Sequence, residues 1–191
     1  MKKILFTFMI LLSINLSADD HIKPEQGAFT SLYVSASDVD KYVSFLRKNS
    51  DAFKAIGSSD AGICITRSGN QYPGQMMIWN AFPSVEAAMI GSLKYDPYKA
   101  TGPISNLRNI KHSTIWKSLK SFRLEPGHEI VGRFKVKQEN ISSFVKAMDS
   151  LEKEIQDNGH PDFFNGVFVS IAGGAESQTL KVRSITSSAS D

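Results

Sequence analysis

The fold of this chain is decided by a helical segment that occurs twice, first as VSASDVDKYVSFLRKNSDAFKAIG (Val34 to Gly57) and again as VKQENISSFVKAMDSLEKEIQDNG (Val136 to Gly159). Matching apolar residues lie 102 positions apart and recur at i, i+3, i+4, i+7 and i+14, the spacing of one face of an α-helix. They are Val39, Tyr42, Val43, Leu46 and Phe53 in the first copy and Ile141, Phe144, Val145, Met148 and Ile155 in the second. A glycine ends each segment, as expected at a helix C-terminus. We therefore predict an internal repeat.

Strand-like segments flank the helix in the same order in both copies. FTSLYVSA and EIVGRFKV precede it, GICITR and GVFVSI follow it, and after a glycine-rich turn come QMMIWNAF and TLKVRSIT. Alternation of apolar and polar residues, as at Leu32 and Val34, is typical of a half-buried strand. Each copy is thus predicted to form a strand, a helix, a strand, a turn and a strand.

The first copy continues with a second helix and a fourth strand. SVEAAMIGSLKY is predicted to begin at the N-cap Ser84 and to bury Val85, Ala88, Met89 and Leu93, and STIWKSLKSF follows as a strand. The order β-α-β-β-α-β is the ferredoxin-like motif, an antiparallel sheet with two helices on one face. SITSSASD stands where the second copy should begin its own second helix, so that copy is predicted to be truncated. The predicted units are 27–123 and 127–187, in the α+β class.

The N-terminus predicts export. Lys2 and Lys3 precede an apolar run from Ile4 to Leu16, and Leu16-Ser17-Ala18 offers small residues before two aspartates. This is the layout of a secretory signal peptide, and the run is too short for a permanent membrane span. We predict a signal peptide at 1–18, a periplasmic or secreted protein, and no membrane span after cleavage.

Composition excludes several classes of function. The predicted mature form carries 20 basic and 19 acidic residues, which gives no argument for nucleic-acid binding. The single cysteine, Cys64, cannot form an internal disulfide, and its apolar neighbours favour a small core residue over a nucleophile. The four histidines show no metal-ligand spacing, and no nucleophile elbow or phosphate loop occurs. We predict neither a metal nor a cofactor.

The run IWNAFPSVEAAMIGSLKYDPYKA resembles the dimeric α+β barrel superfamily, which includes the antibiotic-biosynthesis-type monooxygenases. Its tryptophan ends a strand, a short loop follows, and an alanine-rich helix leads to a Pro-Tyr step. The resemblance covers residues 27–123, with a weaker echo over 127–187. It implies that two ferredoxin-like units pack their sheets into a barrel, here as a pseudo-dimer within one chain.

The resemblance also implies a ligand site and argues against heme. Ligands of such proteins often lie between a sheet and its own helices, which would place Trp79, Asn80 and the second helix at a pocket. Heme-degrading members combine an asparagine on the first strand, a tryptophan on the third and a histidine on the second helix. FTSLYVSA has no asparagine, the helix has no histidine, and Trp79 alone matches, so iron would lack its axial ligand.

Five residues form the predicted ligand site: Phe29, Tyr33, Trp79, Asn80 and Met89. Trp79 would form a wall and Asn80 would orient a polar edge, although an aromatic residue there also suits the packing between two sheets. The strand face that carries Tyr33 has cations in the second copy, namely Arg133, Lys135, Lys181 and Arg183. These would hold an anionic ligand or, as we expect, be solvated or paired with acids, because an incomplete sheet exposes them.

Two functions remain open at this point. Because no acid or base stands where the pocket should be, the sequence favours a non-catalytic protein that binds a small apolar or aromatic ligand or a partner chain. The alternative is a cofactor-independent monooxygenase-like enzyme acting on a small organic molecule, which needs only a dry pocket and aimed donors. An open sheet edge would also invite self-association into a homo-oligomer.

Overall fold

The computed structural model describes residues 21–22, 27–172 and 174–189. The predicted signal peptide at 1–18 therefore lies outside the described residues. Within the described ranges, no helix is both long enough and apolar enough to span a bilayer.

The first copy contains the six elements of a ferredoxin-like unit and two short extra helices. A two-residue strand, β1 (His21–Ile22), precedes it. The elements of the copy are β2 (Ala28–Ser35), α1 (Val39–Lys48), α2 (Asp51–Ala55), β3 (Asp60–Ile65), β4 (Gln75–Phe82), α3 (Val85–Lys94), α4 (Pro103–Leu107) and β5 (Asn109–Ser118). The Ser84 Oγ accepts a hydrogen bond from the Ala87 N–H at 3.0 Å, so the predicted N-cap of α3 is confirmed.

The second copy repeats three strands and one helix. Its elements are β7 (His128–Phe134), α5 (Ile141–Asp157), β8 (Phe164–Ala172) and β9 (Leu180–Thr186), and the short β6 (Phe122–Arg123) lies between the copies and pairs with β1. Gly57 and Gly159 both have positive φ, +88° and +106°, as a left-handed residue after a helix requires. The first helical segment is interrupted, because α1 ends at Lys48 and α2 begins at Asp51.

Seven strands form one curled antiparallel sheet in the order β3-β4-β2-β5-β8-β9-β7. The first four follow the ferredoxin-like order, and the last three repeat it without a fourth strand. The copies join edge to edge, where β5 pairs with β8. The predicted α+β class and the barrel built from two ferredoxin-like units are confirmed, with β3 and β7 as the two outer strands of the described sheet.

Strand pairing follows the repeat. Ile63 pairs with Ile78 in the first copy and Val167 with Val182 in the second, each 104 residues later. The opening strand differs, because Leu32 pairs with Ile78 whereas Gly132 pairs with Val182. The counterpart of a β2 residue in β7 therefore lies 100 positions later, not 102. The two extra residues are taken up before α5, where a short 3-10 turn precedes the helix.

The prediction for the buried side of α3 was wrong in two of its residues. Ala88 and Gly91 face the sheet, whereas Met89 is 51% and Leu93 88% exposed. A Cβ on Gly91 would lie 2.7 Å from the ring of Phe82, so only small residues fit between this helix and the strands. The larger apolar residues are turned outward as a result.

Candidate functional site

The concave face of the curled sheet, which we call the barrel interior, carries the candidate site. Alternate residues of each strand point into it, whereas the intervening residues pack under the helices. On β2, Phe29 and Tyr33 face the interior and are buried, and Val34 lies in the helix-side core with Tyr42 and Leu46. One hydrophobic cluster fills one end of the interior. It consists of five aromatic residues and one isoleucine, Phe29, Trp116, Phe122, Phe164, Phe168 and Ile185, with Trp79 packed against it.

The structure brings three of the five predicted site residues together and separates the other two. Phe29, Tyr33 and Trp79 face the interior. Asn80, the neighbour of Trp79 on β4, points to the helix side, where its Nδ2 lies 3.4 Å from the Thr30 Oγ1. Its buried Oδ1 has no hydrogen-bond partner within the described part of the chain. Met89 lies on the outer surface of α3. Trp79 and Asn80 cannot share one pocket, because consecutive strand residues point to opposite faces.

Residues at equivalent positions of the two copies meet inside the barrel. The Arg133 guanidinium donates to the hydroxyl of its counterpart Tyr33 at 2.9 Å. Lys181 Nζ lies 3.7 Å from the sulfur of its counterpart Met77. The Arg183 guanidinium lies 5.9 Å from the ring centroid of its counterpart Trp79. At each position an uncharged side chain of the first copy contacts a cation of the second.

Lys181 is the most enclosed of these cations. Its fully buried Nζ donates to the Tyr33 hydroxyl at 2.8 Å and lies 4.1 Å from the ring centroid of Trp116. No carboxylate contacts Lys181 directly among the described residues. Burial therefore lowers the pKa of Lys181 to about 7, although the more distant charge of Glu176 acts to raise it. Burial also raises the pKa of Tyr33 above its usual value, although Arg133 acts in the opposite direction.

Two carboxylates pair with the remaining interior cations. Glu129 accepts two hydrogen bonds from Arg183, at 2.6 and 2.9 Å, in a bidentate pair. Glu176 accepts from Arg133 Nε at 3.0 Å and lies 3.4 Å from the Nε2 of His112. Burial opposes the ionisation of both acids. Burial is the largest single influence on each acid, but it is outweighed by the sum of the opposing ones. These are Arg183, Cys64 and Lys181 at Glu129 and His112, Arg133 and Lys181 at Glu176, so the pKa of each carboxyl lies below its ordinary value.

The prediction for the interior cations was half right. Arg133 and Arg183 are paired with acids and Lys135 is exposed, as expected, but Lys181 contacts no carboxylate among the described residues. Lys181 and Arg183 are also buried, not exposed by the incomplete sheet. The strand edge does not expose them because the sheet curls until side chains of its two outer strands meet, where Cys64 of β3 donates to Glu129 of β7 at 3.3 Å. Sequence reasoning missed Glu129 and Glu176 as partners. Glu129 stands at an interior-facing alternate position of β7, which is the signal that would have identified it.

Cys64 is not an activated nucleophile. Burial, together with the negative charge of Glu129, raises the pKa of its thiol to about 12. The thiol therefore stays protonated at physiological pH and serves as a hydrogen-bond donor to the carboxylate. This agrees with the expectation of a small core residue.

Trp79 depends on a glycine in the neighbouring strand, and this dependence gives a testable prediction. A Cβ on Gly62 would lie 2.3 Å from the indole ring of Trp79. Gly62→Ala should therefore lower the free energy of unfolding by about 1–2 kcal/mol, as overpacking does where the partly exposed ring is able to tilt. Urea denaturation measures this. In the Trp79→Leu background the added Gly62→Ala should cost little relative to Trp79→Leu alone, and an equal cost of Gly62→Ala in both backgrounds would contradict the contact.

Two surface grooves lie outside the barrel interior. A groove of about 380 Å³ runs between α1 and α4, with apolar walls from Phe45, Pro103 and Leu107 and with Lys41 and Lys48 at its rim. A second, of about 350 Å³, is lined by residues that include Tyr98, Arg108 and Ile110. Neither includes a predicted site residue. No cluster of three or more histidine, cysteine or acidic side chains suited to a metal ion occurs within residues 27–172 and 174–189.

Solved structures share this architecture at low sequence identity. An anthrone oxidase-like protein superposes with a TM-score of 0.55 at 14% identity, over 89% of this chain and 77% of its own. A proposed monooxygenase from Lactobacillus acidophilus NCFM gives 0.53 at 11%, over 85% and 78%. A heme-binding protein from Thermus thermophilus gives 0.52 at 8%, over 88% and 80%. These likenesses show the fold alone: the chain has the dimeric α+β barrel architecture. Comparison with protein-family models and with curated protein sequences gives no match.

Heme, which one of these neighbours binds, does not fit the residues present. Helix α3 carries no histidine. The interior imidazole, His112, stacks on Tyr33 at 4.4 Å with its Nε2 directed at Glu176. To serve as an iron ligand through Nε2, His112 would have to give up its contact with Glu176.

Proposed function

We propose that the chain is exported and acts outside the cytoplasm as a non-catalytic binding protein, which takes a small apolar or aromatic ligand, or a partner chain, on its outer surface. One observation carries this proposal: the barrel interior is filled by contacts between counterpart residues of the two copies. Each of three cations contacts its counterpart in the first copy, namely Tyr33, Met77 or Trp79. Two carboxylates that are paired with arginines, those of Glu129 and Glu176, take up further space beside these residues.

Opening this interior to a ligand would be costly. Separation of Glu129 from Arg183, or of Glu176 from Arg133, would leave a buried charge without a partner, which costs several kcal/mol. A ligand that is small and apolar offers no group to replace these partners. Binding is therefore expected at the outer surface, where the α1–α4 groove combines apolar walls with two lysines.

Export is supported by the sequence of the first 18 residues alone. Lys2 and Lys3, the apolar run Ile4–Leu16 and the small residues up to Ala18 form the three regions of a signal peptide. The absence of a disulfide is compatible with export, since 173 residues are enough to bury a core without covalent crosslinks.

Native mass spectrometry of the exported form tests the proposal. The chain is expressed with its N-terminal leader and recovered from a periplasmic extract. Its measured mass should be that of a chain that begins at Asp19, and it should carry a non-covalent organic ligand or a second chain. Ala18→Trp, which places a bulky residue at the cleavage site, should retain the leader. An uncleaved chain in the cytoplasm, or a processed chain that carries neither ligand nor partner, would contradict the proposal.

A matched pair of variants locates the ligand. Leu107→Asp places a charge in the α1–α4 groove and should lower ligand occupancy at least tenfold, because the carboxylate would be desolvated. Leu151→Asp makes the same change at an exposed leucine of α5 and should leave occupancy unchanged. Thermal melts of both variants establish that they are folded. Equal occupancy in both would place the ligand elsewhere.

A cofactor-independent monooxygenase-like activity on a small organic molecule is the second candidate, and Lys181 favours it. Oxidation of a CH₂ group by dioxygen (R₂CH₂ + O₂ → R₂C=O + H₂O) needs a base that removes a proton from carbon. With a pKa of about 7, a sizeable fraction of Lys181 carries a neutral amine near neutral pH, in a dry aromatic setting. The anthrone oxidase-like neighbour suggests an anthrone as the probe.

Dioxygen uptake with anthrone distinguishes the two candidates. The enzyme hypothesis expects uptake that depends on added anthrone and is abolished in Lys181→Met but retained in Lys153→Met, an exposed lysine on α5. The binding hypothesis expects no uptake above the buffer rate in any of the three proteins.

A further inference from the structure

Helix α3 has its small residues on the inside and its large apolar residues on the outside. Ala88 and Gly91 contact the sheet, and the Gly91 backbone lies so close to Phe82 that no side chain would fit. The outward face carries Met89, Ile90 and Leu93, which are 51%, 47% and 88% exposed. Neighbouring large apolar residues on one face of a helix are normally buried against another element. The outward face is therefore expected to be covered in the working form of the protein.

The exposed residues form one continuous stripe. Glu86, Met89, Ile90 and Leu93 follow the i, i+3, i+4, i+7 spacing, which places them side by side over two helical turns. At about 100° per residue, the centre of this stripe lies directly opposite the side that holds Ala88 and Gly91. The side chains of the stripe thus form a ridge, which is suited to packing against another helix.

Charges at the two ends of the stripe are complementary under a two-fold rotation. Glu86 stands at its N-terminal end and Lys94 just beyond Leu93, about 12 Å further along the axis. Both side chains are exposed, and neither takes part in an ion pair within the described residues. When two such helices pack antiparallel, each glutamate lies beside the lysine of the other helix, and the apolar residues meet at the centre.

We propose that the outward face of α3 is a self-association surface, on which a second copy of this chain docks its own α3 in antiparallel orientation about a two-fold axis near Ile90. The interface is isologous, so the same stripe serves both partners and the assembly closes as a dimer. This names the partner chain of the proposed function as a second copy, and it depends neither on export nor on ligand binding at the α1–α4 groove.

Sedimentation equilibrium of the mature chain over about 1–200 µM tests the proposal. The parent should dimerise, and Leu93→Glu, which buries a charge at the interface, should raise the dissociation constant at least tenfold. Ile130→Glu, a matched change at an isoleucine of β7 that is 77% exposed, should have no effect. Circular dichroism checks that both variants are folded.

Charge reversal tests the antiparallel arrangement. Glu86→Lys or Lys94→Glu alone should weaken the dimer about three- to tenfold, because each places like charges side by side. The double variant Glu86→Lys with Lys94→Glu should restore the parent dissociation constant, because the pair is only exchanged. Restoration would also exclude a general effect of net charge.

Three outcomes would overturn the proposal. A parent that is monomeric throughout the concentration range would show that no second copy covers the stripe. A dimer that dissociates in Ile130→Glu and persists in Leu93→Glu would place the interface at β7. A monomeric parent that binds phosphatidylglycerol vesicles and loses this in Leu93→Glu would identify a membrane surface as the occupant. None of these results bears on whether the exported form carries a small ligand.

Discussion

Glu129→Leu should lower the free energy of unfolding by about 3–5 kcal/mol, the largest single effect expected in this protein. The side chains of Glu129 and Arg183 are only 11% and 7% exposed, and two hydrogen bonds of 2.6 and 2.9 Å join them. Removal of the carboxylate leaves the guanidinium buried without a counter-ion, and arginine does not escape by deprotonation. Urea denaturation at pH 7 measures the loss.

Two controls separate the buried pair from ordinary loss of an acid. The double variant Glu129→Leu with Arg183→Met should recover most of the stability, because it leaves no unpaired charge. Glu125→Leu removes the acid of a half-exposed pair with Arg123, at 3.5 Å, and should cost less than about 1 kcal/mol. Equal losses in Glu129→Leu and Glu125→Leu would show that the barrel interior is open to water.

Lys181→Met should remove most of the pH dependence of stability between about pH 7 and pH 9. In the parent, burial lowers the pKa of Lys181 to about 7, whereas the unfolded chain keeps the ordinary value of 10.5. Within this interval the unfolded state binds the extra proton, so the stability of the parent should rise with pH, by about 2 kcal/mol in total. Methionine has a similar volume and no charge, and its variant should be nearly flat in this range.

The upper limit of this interval is set by two other interior groups. The raised pKa values of Cys64 and Tyr33 mean that the folded state holds their protons when the unfolded state releases them, so above about pH 9 these two groups offset the rise that Lys181 produces. Thermal and urea unfolding at half-unit steps from pH 6.5 to 9 measure the slope. Lys153→Met, on the exposed side of α5, should keep the slope of the parent, and a slope retained in Lys181→Met would refute the assignment.

The tandem arrangement gives the barrel interior a property that a symmetric dimer lacks. In a two-fold dimer of identical chains, a residue near the axis meets its own copy, so a lysine would face a lysine. Here the copies differ, and Tyr33 meets Arg133, Met77 meets Lys181 and Trp79 meets Arg183. Cations are tolerated inside because each contacts an aromatic ring, a hydroxyl or a sulfur, with carboxylates close by. This complementarity is the physical reason that we favour a filled interior over a catalytic pocket.

The sequence by itself determined the repeat, the order of elements and the class of fold. Apolar spacing in Val34–Gly57 and Val136–Gly159 specifies helices because burial of one helix face is a local, periodic property. Alternation along the strands determined that Phe29, Tyr33 and the interior cations share one side of the sheet. Trp79 and Asn80 are adjacent in the chain, which suggests a common pocket. The same alternation rules this out, because adjacent strand residues point to opposite faces of the sheet.

Only the tertiary structure decided which residues meet across the barrel and which face of α3 is covered. Glu129 reaches Arg183 across a sheet pairing that no spacing in the chain encodes, and the inward turn of Ala88 and Gly91 follows from the position of Phe82 on another element. Periodicity predicts that a helix has one apolar side, but α3 carries apolar residues on two opposite sides. Close packing therefore determines which side of α3 is buried. Only its small residues fit against the sheet, and Met89, Ile90 and Leu93 remain on the outside.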